Sequence, residues 1–151
     1  MTIQIRAARL DEVPSLLGMY DWLFEPPGRR PPGWGGDRPA AALKEAIEGE
    51  RSAVLVAEDE QGGLAGLCCP YLDVHSVRFG QRCWVEDLVV RADRRSEGIG
   101  DGLLAAARDW AMANGATHIE LDTGEAQLDA QRFYERQGEA HRGISYSWAL
   151  R

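Results

Sequence analysis

The spacing of apolar residues changes period several times along the chain, and each change predicts an element. Thr2 to Ala8 alternates, with Ile3 and Ile5 on one face, which predicts a first strand. Asp11 can cap a helix running to about Phe24, where Val13, Leu16, Leu17, Tyr20, Leu23 and Phe24 form an apolar face and Pro14 fits the first turn. Ala40 to Glu50 is a short run of strong helix formers. Ser52 to Glu58 and Leu64 to Tyr71 read as strands joined by the turn Asp59 to Gly63, a hairpin. Leu72 to Gly80 reads as polar loop, and Arg82 to Val90 as a strand ending in Leu88-Val89-Val90. Gly98 to Asn114 carries the strongest helical pattern, through Ile99, Leu103, Leu104, Ala107, Trp110 and Ala111, with Gly115 as its stop. Thr117 to Thr123 alternates Ile119 and Leu121 with His118, Glu120 and Asp122, as a strand does. Leu128 to Gln137 is a helix ended by Gly138, and Ser145 to Leu150 a final strand.

This order predicts a mixed sheet covered by helices on both faces. The hairpin argues for antiparallel strands, and the strand–helix–strand units of the C-terminal half for parallel pairing. Pro26 to Pro39, rich in proline and glycine, continues neither helix nor central strand. It is an unusually long internal loop, and long loops often carry function. Trp34 in its middle is either a binding aromatic or a side chain folded back onto the body.

Composition narrows the picture. A length of 151 residues predicts one domain, 1–151, large enough to fold without disulfide staples. The net charge of −7 argues against broad binding to nucleic acid or an anionic membrane and favours cationic partners. No apolar leader is visible at the start, and the longest uncharged run, Gln61 to Leu72, is too short for a bilayer. The three cysteines, two of them adjacent, make neither a disulfide framework nor a metal spacing. A reducing cytoplasm and no metal are the expectation.

Chemistry concentrates in Val85-Glu-Asp-Leu-Val-Val-Arg-Ala-Asp-Arg-Arg-Ser-Glu-Gly-Ile-Gly100. An apolar strand enters a basic, glycine-bearing turn that opens a long helix. Free N–H groups and partial positive charge at a helix N-terminus favour a phosphate. Gly98 and Gly100 allow close approach to the backbone, and Arg94 and Arg95 add full charges. A dinucleotide fingerprint fits poorly, because Leu103 stands where the third glycine belongs and the unit sits late in the chain; no Walker A Gly-Lys-Ser/Thr exists.

Arg95-x-x-Gly98-x-Gly100 resembles motif A of the GCN5-related N-acetyltransferase (GNAT) family, which wraps the pyrophosphate of acetyl-coenzyme A. Val85 to Val90 looks like the family's fourth strand, Thr117 to Thr123 like its fifth, and Ala130-Gln-Arg-Phe-Tyr-Glu-Arg-Gln-Gly138 like motif B. The resemblance is close from Val85 to Gly138 and covers the rest by order of elements. It implies the acyl-CoA N-acyltransferase fold, α/β (α+β mixed), with a mixed, mostly antiparallel sheet whose fourth and fifth strands splay apart. Departures are Ser96 for a common glycine, Glu97 for a basic or neutral residue, Ala92 for proline, Gln127 for asparagine and Glu139 for phenylalanine.

The resemblance implies an acetyl-CoA-dependent N-acetyltransferase, with the amine attacking the thioester directly. The acidic balance favours a small cationic acceptor. A protein or peptide N-acetyltransferase and a non-catalytic acyl-CoA-binding module are the alternatives. Cofactor contacts then fall on Leu88, Val89, Val90, Arg95, Ser96, Glu97, Gly98, Ile99, Gly100, Asp101, Gln127 and Tyr134. Tyr134 aligns with the motif B tyrosine that donates to the sulfur, or is simply a core-facing aromatic. Glu86 is the general-base candidate, or a solvated acid. Asp87 points to the other face if alternation holds, and a bulge would change that. Asp87, Asp122 and Trp34 are acceptor-site candidates, and His75, in the loop before the fourth strand, is a further possible base. Cys68, Cys69 and Cys83 read as small buried residues. The resemblance also implies a possible homodimer.

Overall fold

A computed structural model describes residues 2–138 and 141–150. The expected replacement Glu139 lies outside the described residues. Contacts divide the chain into two compact units, residues 1–121 and 122–151.

The first unit is built on a five-stranded sheet of order β1-β2-β3-β4-β5. Its elements are β1 (Gln4–Ala7), α1 (Val13–Phe24), α2 (Arg38–Glu48), β2 (Leu55–Glu58), β3 (Leu64–Ser76), β4 (Gly80–Val90), α3 (Ile99–Ala113) and β5 (His118–Glu120). The first four strands pair antiparallel, and β5 joins β4 in parallel after the α3 crossover. This is the mixed, mostly antiparallel sheet expected from the element order.

Each face of the sheet has its own core. On one face Leu16 and Met19 of α1 and Leu43 of α2 pack on Val56, Leu67, Cys69 and Val89. On the other, Ile99, Leu103 and Ala107 of α3 pack on Leu55, Ala57, Ala65, Cys68 and Val85. Gly66 lets α3 come close: a Cβ there would lie 3.0 Å from Leu103 Cδ1 and 3.0 Å from the Val89 carbonyl oxygen.

Two expectations fail. Leu72 to Gly80 is not loop. β3 runs on to Ser76 and β4 starts at Gly80, so only Val77 to Phe79 turn, with Ser76 Oγ accepting from the N–H groups of Arg78 and Phe79. This end of the hairpin projects past both cores, and without a buried face its sequence loses the alternation that signals a strand. His75 therefore lies on β3, opposite Gln81, and not in a loop. Ser145 to Leu150 is not a strand, and its apolar Tyr146, Trp148 and Leu150 are exposed. Apolar alternation satisfies only half of what a strand needs; a partner edge must also accept its main chain.

The second unit contains α4 (Leu128–Glu135). Gln127 precedes it, its N–H donating to the Gly124 carbonyl. Asp122 lies beyond the end of β5 rather than on it, exposed, with Ser145 Oγ donating to its carboxylate at 3.3 Å. Among the described residues no helix is long and apolar enough to cross a membrane.

Candidate functional site

The sheet opens at β4. Among the described residues β5 pairs with Arg82, Cys83 and Trp84, and Val85 to Val90 has no strand on its β5 side. Arg82 braces the last point of contact: its guanidinium donates to Asp73 of β3 and to Glu120 of β5, and lies 5.2 Å over the Trp84 ring. β5 ends at Glu120, opposite Trp84, and beyond it alternate N–H and C=O groups of β4 point away from β3.

The free edge leads into the turn before α3. Ser96 takes φ +66 and Gly98 φ +83, both left-handed. Glycine adopts this conformation without steric cost, whereas Ser96 does not. A Cβ on Gly98 would meet nothing within 4 Å, so the space over this glycine is open. The first N–H bonded within the helix is that of Gly102, to the Gly98 carbonyl at 3.0 Å. The earlier N–H groups of a helix have no carbonyl of their own to reach.

The charges in this turn are divided in a way the sequence does not show. Arg94 is turned inward and largely buried, against Glu97 at 2.9 Å, Asp59 at 3.7 Å and Glu60 at 3.9 Å. It ties the α3 turn to the β2–β3 turn and is not available as a phosphate ligand. The same pairing answers the electrostatic objection to Glu97, whose carboxylate is neutralised by Arg94. Asp59 is held below the usual carboxylate range by the N–H groups of Gly63 and Gln61. Arg95 is exposed, its Nε bonded to the Val90 carbonyl at 3.2 Å, and it supplies the cationic charge at the open side.

The open Gly98, the N–H groups of a helix first turn, Arg95 and the β4 edge together fit a phosphate-ended ligand with an extended amide arm. Of the expected contact residues, Leu88 and Val90 are partly buried against the α3-side core and Val89 lies in the α1-side core, so their side chains are committed to packing and only their main chain is left to offer at this edge. Ile99 is buried, and Gly100 and Asp101 complete the first turn of α3.

The face carrying α1 and α2 holds the acids. Cys69 pairs with Asp87 but Pro70 with Val85, so Glu86 is the extra residue of a β-bulge. Pro70, without an N–H, suits the irregular position. The bulge overrides strict alternation. Glu86 accepts from Trp84 Nε1 at 2.8 Å, and Asp87 accepts from the Tyr20 hydroxyl of α1 at 2.7 Å, so the two consecutive acids share this face. Glu86 is exposed; Asp87 is part-buried, and burial pushes its carboxyl above the ordinary range, against the opposing pull of the Tyr20 bond. Burial, with Glu86 and Asp73 nearby, also pushes up Tyr71, the cross-strand partner of Trp84.

Trp34 folds back. It stacks on Tyr20 with ring centroids 5.5 Å apart and meets Phe24 edge-on at 4.8 Å. The long loop is thereby pinned to α1 beside Asp87. Tyr20 was legible only as a member of an apolar helix face, and its hydroxyl was the sole hint of a polar duty. Arg82, Tyr71 and Trp84 carried no local signal at all.

His75 is exposed on β3. Cys68, Cys69 and Cys83 are buried free thiols, and burial pushes Cys68 up to about 12, Cys83 up to about 11 and Cys69 higher still, which leaves them inert. Tyr134 lies on α4 against Phe133, ring centroids 5.3 Å apart, in the second unit with Gln127 and Asp122.

The sequence is 37% identical over 92 residues to the uncharacterized N-acetyltransferase YhdJ of Bacillus subtilis, covering 60% of this chain and 63% of that protein. It is 33% identical over 103 residues to streptothricin acetyltransferase of Streptomyces lavendulae, covering 67% of this chain and 52% of that one. The chain thus spans less than two thirds of the length of these curated relatives. The fold superposes on the aminoglycoside N-acetyltransferase AAC(6')-Iy in complex with CoA with a TM-score of 0.81 at 20% identity, over 99% of this chain and 96% of that one. A family description, acetyltransferase (GNAT) family, matches residues 16–138, and with the β4–α3 geometry above this shows that the chain belongs to the GNAT acetyltransferase family.

Proposed function

We propose that this protein transfers the acetyl group of acetyl-CoA to a primary amine of a small cationic molecule, by direct attack in a ternary complex. The observation that carries the reading is the bare edge of β4 from Val85 to Val90, running into the left-handed Ser96–Gly98 turn at the start of α3. Main-chain groups of β4 hold the extended arm, N–H groups of the turn and Arg95 hold the phosphates, and the splay admits the thioester.

Acetyl-CoA supplies an activated acetyl carbonyl; the rest falls to the chain. Glu86 sits at the bulge with Oε2 held by Trp84 Nε1, which leaves Oε1 to take the proton from the acceptor ammonium. Asp87 beside it adds a second negative charge and favours a cationic acceptor. A β4 N–H polarises the acetyl carbonyl as charge develops on its oxygen. For Tyr134, in the second unit, the motif B resemblance implies the role of proton donor to the departing sulfur, a sensible match for a phenol of pKa ~10 and a thiol near ~8.5. Streptothricin acetyltransferase and aminoalkylphosphonate N-acetyltransferase, both relatives, are named for small-molecule acceptors and support that class.

The test is to mix protein, acetyl-CoA and a panel of polyamines, aminoglycosides and amino compounds and to follow free thiol. Amine-dependent release that drops in Tyr134→Phe with acetyl-CoA binding intact supports the reading. Tight acetyl-CoA binding with no amine-dependent release across the panel contradicts it.

A further inference from the structure

The Tyr20–Asp87 contact joins α1 to β4 across the acidic face, and the acetyl-transfer chemistry above gives Tyr20 no task. We propose that Tyr20 is a positioning residue for the acceptor: it fixes Asp87 as an oriented carboxylate that receives the cationic amine, and Trp34 shields the pair from water. This rests on the N-acetyltransferase reading.

The Tyr20 hydroxyl donates to Asp87 Oδ2 at 2.7 Å and lies 3.7 Å from Cys69 Sγ. Asp87 Oδ1 has no hydrogen-bond partner among the described residues, so one oxygen is held and the other is free for an ammonium. The Trp34 ring stacks on Tyr20 and Phe24 buttresses it, which keeps the phenol in one rotamer. A loop rich in proline and glycine has no structural need for such an anchor at this point, whereas an acceptor site needs a wall. The apolar cover strengthens whatever charge interaction forms beneath it.

The ionisation balance agrees. Burial favours the neutral acid at Asp87, and Glu86 on the same strand pushes the same way, while the Tyr20 bond favours the carboxylate. The Cys69 thiol of β3, on the same face, is kept neutral by burial. Arg30, the charged group of the Trp34 loop nearest the aromatic cluster, is paired with Asp21 and stacked over Phe24. Among these groups Tyr20 is therefore the one that favours the carboxylate form of Asp87.

Tyr20→Phe tests this, because it keeps the ring that Trp34 stacks on and removes only the hydroxyl. Carboxyl 13C NMR titration, with Asp87 assigned by its loss in Asp87→Asn, should show its midpoint moving to higher pH in Tyr20→Phe. With kanamycin and spermidine as probe amines, the amine KM should rise about tenfold with kcat within about twofold, and the acid limb of kcat/KM should move up in pH. An unchanged KM and an unchanged Asp87 midpoint in a folded Tyr20→Phe overturn the assignment while leaving transferase activity standing. Absence of thiol release from the wild-type chain with any amine overturns the transferase reading and the acceptor role together, even where the NMR midpoint moves.

Discussion

The C-terminal end and the bulged middle of β4 solve different problems with different parts of the chain. Its C-terminal end, with the turn into α3, is made almost wholly of main chain from one continuous segment, Val85 to Gly100. Its bulged middle is made of side chains drawn from α1, the Trp34 loop, β3 and β4. An anion needs donors at a fixed spacing, which a helix N-terminus supplies whatever its side chains are. A cationic acceptor needs oriented carboxylates and a wall, which only tertiary packing assembles. On the proposed reading, the main-chain donor side should tolerate sequence change and the side-chain acceptor side should carry the specificity.

Substitutions on the two sides should therefore separate cleanly. The largest effect is expected on the acceptor side: Glu86→Gln should lower kcat by about 100-fold and leave acetyl-CoA affinity unchanged in a calorimetric titration. Equal losses in both would break the division. On the donor side, Gly98→Val puts a branched side chain at φ +83 and into the open space over the turn. Left-handed strain alone is worth ~1–2 kcal/mol, so acetyl-CoA affinity should fall about tenfold or more, with the amine KM unchanged once acetyl-CoA is saturating. Arg94→Ala should weaken acetyl-CoA by only a few-fold, about 3-fold at low salt and less at high salt. Its loss frees the charges of Glu97, Asp59 and Glu60 beside the turn rather than removing a ligand contact. A drop as large as that of Gly98→Val would mean that Arg94 touches phosphate after all. The smallest effect is Ser96→Gly, which relieves a left-handed serine and should raise stability by ~0.5–1 kcal/mol, seen as a higher melting temperature with binding unaltered.

The same division explains what the sequence could show. The β4–turn–α3 segment is local, so glycine spacing, the apolar run and the helical period all sit within one window, and they mark its fold and the turn proposed for the anion. The bulge at Glu86 was open in the sequence because strict alternation and a shifted register are equally allowed; only the pairing of Pro70 with Val85 decides it. Arg94 and Arg95 are indistinguishable as letters, yet one is turned toward Asp59 and Glu60 and the other toward the open side. Tyr20, Trp34 and Asp87 are separated along the chain, and no periodicity links them. The end of the β3–β4 hairpin was missed for a related reason, since strands that leave the core keep their hydrogen bonds but lose their hydrophobic signature.

The most direct test of the account is a crystal structure of the protein with acetyl-CoA. The account predicts the pyrophosphate on the N–H groups of the Arg95–Gly100 turn, the amide arm along the Val85–Val90 edge, and the Glu86 and Asp87 carboxylates on the acceptor side of the thioester. A cofactor bound away from the β4 edge, or one whose thioester faces neither acid, would contradict it.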